Sequence, residues 1–168
     1  PLTAFNISKK QAGVGYARKL AMDEAVHRFA QIDNPEGVIV SCDADTIVDK
    51  NYFIEIEKFY RDNPQCSAAN IYFEHPLTGD LQQQQYQAIA QYELYLRYYV
   101  EQLKRIGFPY AFHTIGSCFS VRAKTYCRPG GMNKRQAGED FYFLQKLFPA
   151  ECFGEINTTT VHPSSRQS

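Results

Sequence analysis

The run Gly37-Val-Ile-Val-Ser-Cys-Asp43-Ala-Asp45-Thr46 constrains this chain more than any other stretch. Val38, Ile39 and Val40 are consecutive β-branched residues, the composition of a strand covered on both faces. The run then stops at two carboxylates spaced two apart. In an extended chain alternate side chains share a side, so Asp43 and Asp45 can converge on one point. Ligands of open α/β sheets bind just beyond the carboxyl ends of strands. Two hard oxygen donors there suit Mg²⁺ or Mn²⁺, with a substrate phosphate completing the coordination. A bare Asp-x-Asp more often only ends a strand and caps a helix. Here Asp49 is the better cap for the next helix, so capping does not need the pair.

At 168 residues the chain has the size of one domain, residues 1–168. Its 18 basic and 18 acidic residues balance. A neutral chain offers no electrostatic case for nucleic acid or an anionic membrane surface. No apolar run approaches the ~20 residues of a membrane span. Five cysteines, odd in number and without a C-x-x-C pair, predict reduced buried thiols, a cytoplasmic location and no structural zinc. The chain starts at Pro1 and stops in the polar run 164–168, which reads as a piece cut from a longer protein.

In chain order, residues 2–7 form a short apolar run of strand character, and 8–15 a polar, glycine-bearing helix entry. A helix is predicted over 14–29, burying Ala17, Leu20, Ala21, Ala25 and Phe29, with Arg18 one turn inside its start. Helix N-termini and nearby cations suit phosphates, although Gly13-x-Gly15 lacks the spacing of the common phosphate-binding motifs. Arg18 can equally be a solvated helix residue. The central strand follows, then a helix over 50–61 that buries Tyr52, Phe53, Ile56, Phe59 and Tyr60. A strand over 66–74 and a helix over 81–106 come next. The aromatic stripe Tyr92, Tyr95, Leu96, Tyr99, Leu103 and Ile106 on that helix predicts core. Short strands are expected at 110–112 and 117–121, a helical turn at 122–126, a helix over 141–147 and a last strand over 156–161. Strands separated by helices predict a mainly parallel α/β sheet.

Glu139 and Asp140 follow Gly138 at a helix start, where the helix dipole favours acids by ~0.3–1 kcal/mol. A carboxylate there can also serve as general base toward a hydroxyl within hydrogen-bond reach. His162 ends the last strand and is a candidate third metal ligand. His27 reads as a helix-surface residue; His75 and His113 lie in loops without an assigned role.

The segments Ala12-Gly-Val-Gly-Tyr-Ala-Arg18, Val-Ile-Val-Ser-Cys-Asp43-Ala-Asp45, Gly130-Gly131 and Gly138-Glu139-Asp140, in that order, resemble family 2 glycosyltransferases of the GT-A fold. The resemblance runs from about residue 12 to 166. It implies a Rossmann-related, mainly parallel sheet flanked by helices, truncated here at its N-terminus. It implies a nucleotide-sugar donor, UDP- or GDP-linked, held by Asp43 and by a Mn²⁺ or Mg²⁺ ion on Asp45. It places Arg18 near the donor phosphates, His162 as a further metal ligand, Asp140 as catalytic base and Glu139 near a saccharide or lipid-linked acceptor. The reaction would be inverting sugar transfer, as in polysaccharide biosynthesis, in the cytoplasm with the inner membrane face as a candidate location. Family members begin with a strand and a βαβ unit that hold the nucleoside base, and this chain is expected to start after that unit, which predicts weak or absent nucleotide binding by these residues alone. The competing readings are a phosphatase or phosphotransferase of the D-x-D-x-[TV] type, from which Ile47 departs, a nucleotidyltransferase, and a non-catalytic carbohydrate- or protein-binding module.

Overall fold

The structure is a computed structural model that describes residues 13–135, 137–149 and 152–165. The strand expected at 2–7 and most of the polar helix entry lie outside the described residues. Ten elements follow: α1 (Val14–Gln31), β1 (Val38–Ser41), β2 (Ile47–Val48), α2 (Tyr52–Asp62), β3 (Cys66–Phe73), α3 (Gln83–Arg105), β4 (Phe119–Arg122), α4 (Ala123–Cys127), α5 (Glu139–Leu147) and β5 (Cys152–His162).

The five strands form one sheet in the order β1-β4-β3-β5-β2. Among the described residues only β3 and β5 run parallel; β1–β4, β3–β4 and β2–β5 are antiparallel. The architecture is therefore α/β with a mixed sheet, which corrects the expectation of a mainly parallel one. Val38–Ser41, expected at the centre, is the edge strand: among the described residues it pairs with β4 alone. Its apolar run is covered from above and below rather than flanked on both edges. Alternation along β3 sends Ala68 to one face and Ala69, Ile71 and Phe73 to the other. On the first face Met22 of α1, Tyr126 of α4 and Phe143 and Leu144 of α5 pack against Phe119 and Val121. On the second, Tyr52, Ile56 and Tyr60 of α2, one every four residues, pack against Ile71, Phe73 and Val161. Arg122 ties the layers by donating to the carbonyls of Cys66 and Tyr60.

The helices near 14–29, 50–61, 81–106 and 141–147 and the strand at 66–74 fall close to their expected places. Residues 110–112 are not a strand. The helix expected from 50 starts at Tyr52, and Asp49 does not cap it with its side chain. Its carboxylate instead accepts the Thr160 N–H at 2.9 Å and meets the His162 ring, holding β5 against the β2–α2 corner. Phe53 is exposed rather than buried, and Ala17 and Ala21 open outward while Met22 enters the core. The aromatic stripe of α3 does not form core: Tyr92, Tyr95, Tyr99 and Ile106 are exposed, Tyr95 by 63%, while Tyr86 and Val100 are buried and Leu96 packs half-buried on the sheet. Helical spacing shows that a stripe exists, but not that anything covers it.

Cys66 and Cys152 are joined in a disulfide, against the expectation of five reduced buried thiols. They face each other across the parallel β3–β5 pair, with Cα atoms 4.4 Å apart. Cys42 and Cys127 are exposed, and only Cys118 is a buried thiol, its pKa pushed up to about 12 by burial. Among the described residues no helix is long and apolar enough to cross a membrane.

Candidate functional site

The β1 strand ends at Ser41, whose hydroxyl donates to the Gly116 carbonyl at 2.6 Å. That bond draws the loop ahead of β4 against the mouth of β1. Asp43 and Asp45 follow in the turn before β2, Asp43 half-buried and Asp45 exposed. From α1, one turn inside its start, Arg18 reaches across to the turn. Its Nη2 donates to both oxygens of Asp43, at 2.6 and 2.9 Å. Its Nη1 pairs with Oε1 of Glu139, the first residue of α5. The Arg18 side chain is only 11% exposed and that of Glu139 3%, so this is a buried bridge rather than a surface pair. Charge-assisted, two-pronged contacts of this kind fix direction as well as distance. Arg18 is thus not a solvated helix residue: it joins three segments distant in sequence.

Two glycines make room for the bridge. A Cβ at Gly116 would sit 2.5 Å from the Arg18 Cζ and collide with Nη1. A Cβ at Gly15 would sit 2.9 Å from the Glu139 Cβ and collide with the Arg135 carbonyl. Gly15 stood in the glycine-bearing helix entry, where its signal was weak. Gly116 carried no signal that composition or spacing could reveal, because its neighbour is 98 positions away in the chain (116 − 18).

Burial raises the Glu139 pKa, Asp140 and Asp43 push the same way, and the helix-start backbone N–H and Arg18 oppose them. Asp140 is half-buried, and its Oδ1 accepts the Phe141 N–H at 2.7 Å. Arg18, Asp43, Asp45, Glu139 and Asp140 all line one open cleft of about 1000 Å³. A second lobe of about 1000 Å³ shares Arg18, Asp43 and Asp140 with it and runs beneath the first half of α3. Asp140 therefore stands where the two lobes meet.

Five of the six residues singled out from sequence come together. His162 does not line either lobe. Its Nδ1 lies 3.2 Å from the Glu74 carbonyl and its Nε2 3.1 Å from Asp49 Oδ1, so both ring nitrogens face oxygen acceptors. The His162 contact is the main cause that holds the exposed Asp49 carboxyl below its usual range.

Among the described residues no group of three or more His, Cys, Asp and Glu side chains is arranged to cage a metal ion. The cleft nevertheless collects four carboxylates around one guanidinium. Two carboxylates plus substrate phosphates and water is a donor set that Mg²⁺ commonly accepts. Asp43 and Asp45 fit a cation that brings part of its oxygen shell with it, and do not fit one held by protein alone.

No protein-family model matches this chain, and no curated protein matches it.

Proposed function

We propose that this chain carries the catalytic cleft of a glycosyltransferase that moves a sugar from a nucleotide-sugar donor to an acceptor hydroxyl. The observation that carries the reading is the cleft itself. A carboxylate pair at a strand end and a second carboxylate pair at a helix start face one space, and a buried arginine joins them. The first pair suits the donor and the second suits the acceptor, which is the division of labour that transfer requires.

An excess of carboxylate over guanidinium repels a diphosphate unless a cation comes with it. Asp45, exposed in the cleft, and Asp43 beside it would hold Mn²⁺ or Mg²⁺. Such an ion would neutralise charge on the departing nucleoside diphosphate. Arg18 holds Asp43 in place and, being already paired with two acids, acts on the donor through that positioning. Glu139, buried and paired with Arg18, orients α5. Asp140 at the junction of the lobes is the base that takes the proton of the attacking hydroxyl, which must lie within ~2.6–3.2 Å of it in the substrate complex. Direct displacement from the opposite face gives inversion. A metal role for His162 requires its ring to leave Asp49.

The test is a hydrolysis and transfer screen of the full-length protein with Mn²⁺ and a set of UDP- and GDP-sugars. Release of nucleoside diphosphate that depends on Mn²⁺ and on Asp45 supports the reading. Pyrophosphate release from a nucleoside triphosphate would assign a nucleotidyltransferase instead, and aryl phosphate turnover a phosphatase.

A further inference from the structure

The second lobe contains a built feature that the transfer chemistry leaves unused. His75 lies just past β3, buried to 9% exposure, and lines the lobe. Its Nδ1 is 2.8 Å from Oε2 of Glu93 on α3, and its own backbone N–H donates to the same oxygen at 2.9 Å. Arg97, one turn further along α3, donates to the other oxygen of Glu93 through Nη2 at 2.6 Å and Nε at 3.2 Å. The same Nη2 donates to the Phe73 carbonyl at 2.7 Å, anchoring the group to β3. Phe73 and Tyr92 stand edge-on to the imidazole, with centroids 5.9 and 6.5 Å away. Burial acts to raise the Glu93 carboxyl, but the bonds from the His75 backbone, Arg97 and the His75 ring outweigh it and lower it.

An ionised carboxylate only accepts, so Nδ1 carries the proton and donates it. In the neutral ring, a proton held on Nδ1 by Glu93 leaves Nε2 as an acceptor, the arrangement that orients histidines at working sites. Among the described residues none hydrogen-bonds Nε2. A group held from four sides and left with one acceptor is suited to receive an O–H.

We propose that this lobe binds a neutral saccharide, one hydroxyl of which donates to His75 Nε2. The lining decides the ligand class. Among the described residues its one cation, Arg18, is already paired with two acids, and Asp43 and Asp140 are anionic, so phosphates and carboxylates are disfavoured. Gln85, Thr114 and Ser117 offer amide and hydroxyl groups, while Ile89, Leu96 and Ile115 offer apolar surface. That mixture matches a sugar, with C–H faces and a rim of hydroxyls. Tyr92 connects the two ends: it touches the His75 ring, and the Asp140 charge, after burial, raises its phenol. A sugar on His75 shares the lobe with Asp140. Naming this sugar as the acceptor rests on the transferase reading; its binding does not.

The test follows the histidine ring nitrogens by NMR of ¹⁵N-labelled protein while cellobiose, lactose, chitobiose or the matching methyl glycosides are added. The expected result is a spectrum of the Nδ1–H tautomer for His75, an Nε2 signal that moves on addition of at least one sugar, and roughly tenfold weaker binding by His75→Phe, the loss of about one hydrogen bond. If no sugar moves Nε2, or if His75→Phe binds as tightly as the parent, the proposal is wrong. Should His75→Phe fail to fold, the Nε2 signal of the parent protein still decides. Sugar binding at His75 with no turnover of any nucleotide sugar by the full-length protein sinks the transferase reading and leaves this site standing. Nucleotide-sugar hydrolysis with an unmoved Nε2 does the reverse.

Discussion

Replacing Arg18 by Met keeps the length and apolar stem of the side chain and removes its charge. Glu139 then stays 3% exposed without its partner. Removing one partner of a buried pair costs about 3–5 kcal/mol, because the remaining charge is left uncompensated. Asp43 is 36% exposed, so water recovers most of its solvation, and it adds less than about 1 kcal/mol. The lower end, about 3 kcal/mol, is expected at pH 7. For a chain of this size that corresponds to a fall in Tm of about 6–12 °C. The pH dependence is the sharper check. The native state already raises the Glu139 carboxyl, through burial first, so it holds that proton more tightly than the unfolded chain does. Stability therefore falls as pH rises from the unfolded value through the folded one. Without Arg18 the folded value moves higher and the window of falling stability extends toward neutrality. Urea unfolding of Arg18→Met should show a deficit that shrinks between pH 7 and pH 5, as Glu139 becomes protonated in the folded state. Adding Glu139→Gln should recover part of the loss at pH 7. A deficit below about 1 kcal/mol at pH 7, or one of equal size at both pH values, would refute the buried bridge.

Gly116→Ala should lower stability by about 1–3 kcal/mol in a thermal melt, because the new Cβ meets a guanidinium pinned by two carboxylates and cannot push it aside cheaply. In the full-length protein Asp140→Asn should abolish sugar transfer while Mn²⁺-dependent nucleotide binding, measured by calorimetry, persists; retained turnover would remove Asp140 as base. Reduction of Cys66–Cys152, which spans 86 residues, should cost about 2–4 kcal/mol, read as a lower Tm in dithiothreitol and as the absence of that shift in Cys66→Ser.

Much of the candidate site was visible in local pattern. Asp43 and Asp45 stood out because an apolar strand ends in them, and Glu139 and Asp140 because a helix opens on them. That a single arginine joins both pairs was not visible. Arg18 lies 25 residues from Asp43 and 121 from Glu139, and one helix residue in its own window looks the same whether it faces water or two acids. The His75–Glu93–Arg97 group was hidden for a similar reason: Glu93 and Arg97 form an ordinary helical pair, and only the packing of α3 on β3 brings His75 to them. The α3 stripe erred the opposite way, since among the described residues its neighbours bury only Leu96 and Leu103, and those in part.

The sequence by itself determined most of the helices and the longer strands, though not the absence of a strand at 110–112 or the short β2, because a 3.6-residue or two-residue rhythm, a helix start and a proline stop are all local signals. It also determined that carboxylates end β1 and open α5. Tertiary structure alone decided the mixed strand order, the edge position of β1, the Cys66–Cys152 bond and the arginine bridge. The first three depend on which distant backbone lies 5 Å or so away across a sheet, and strand pairing leaves no periodic trace in the chain that forms it; the bridge depends on how α1 and α5 pack beside the turn after β1.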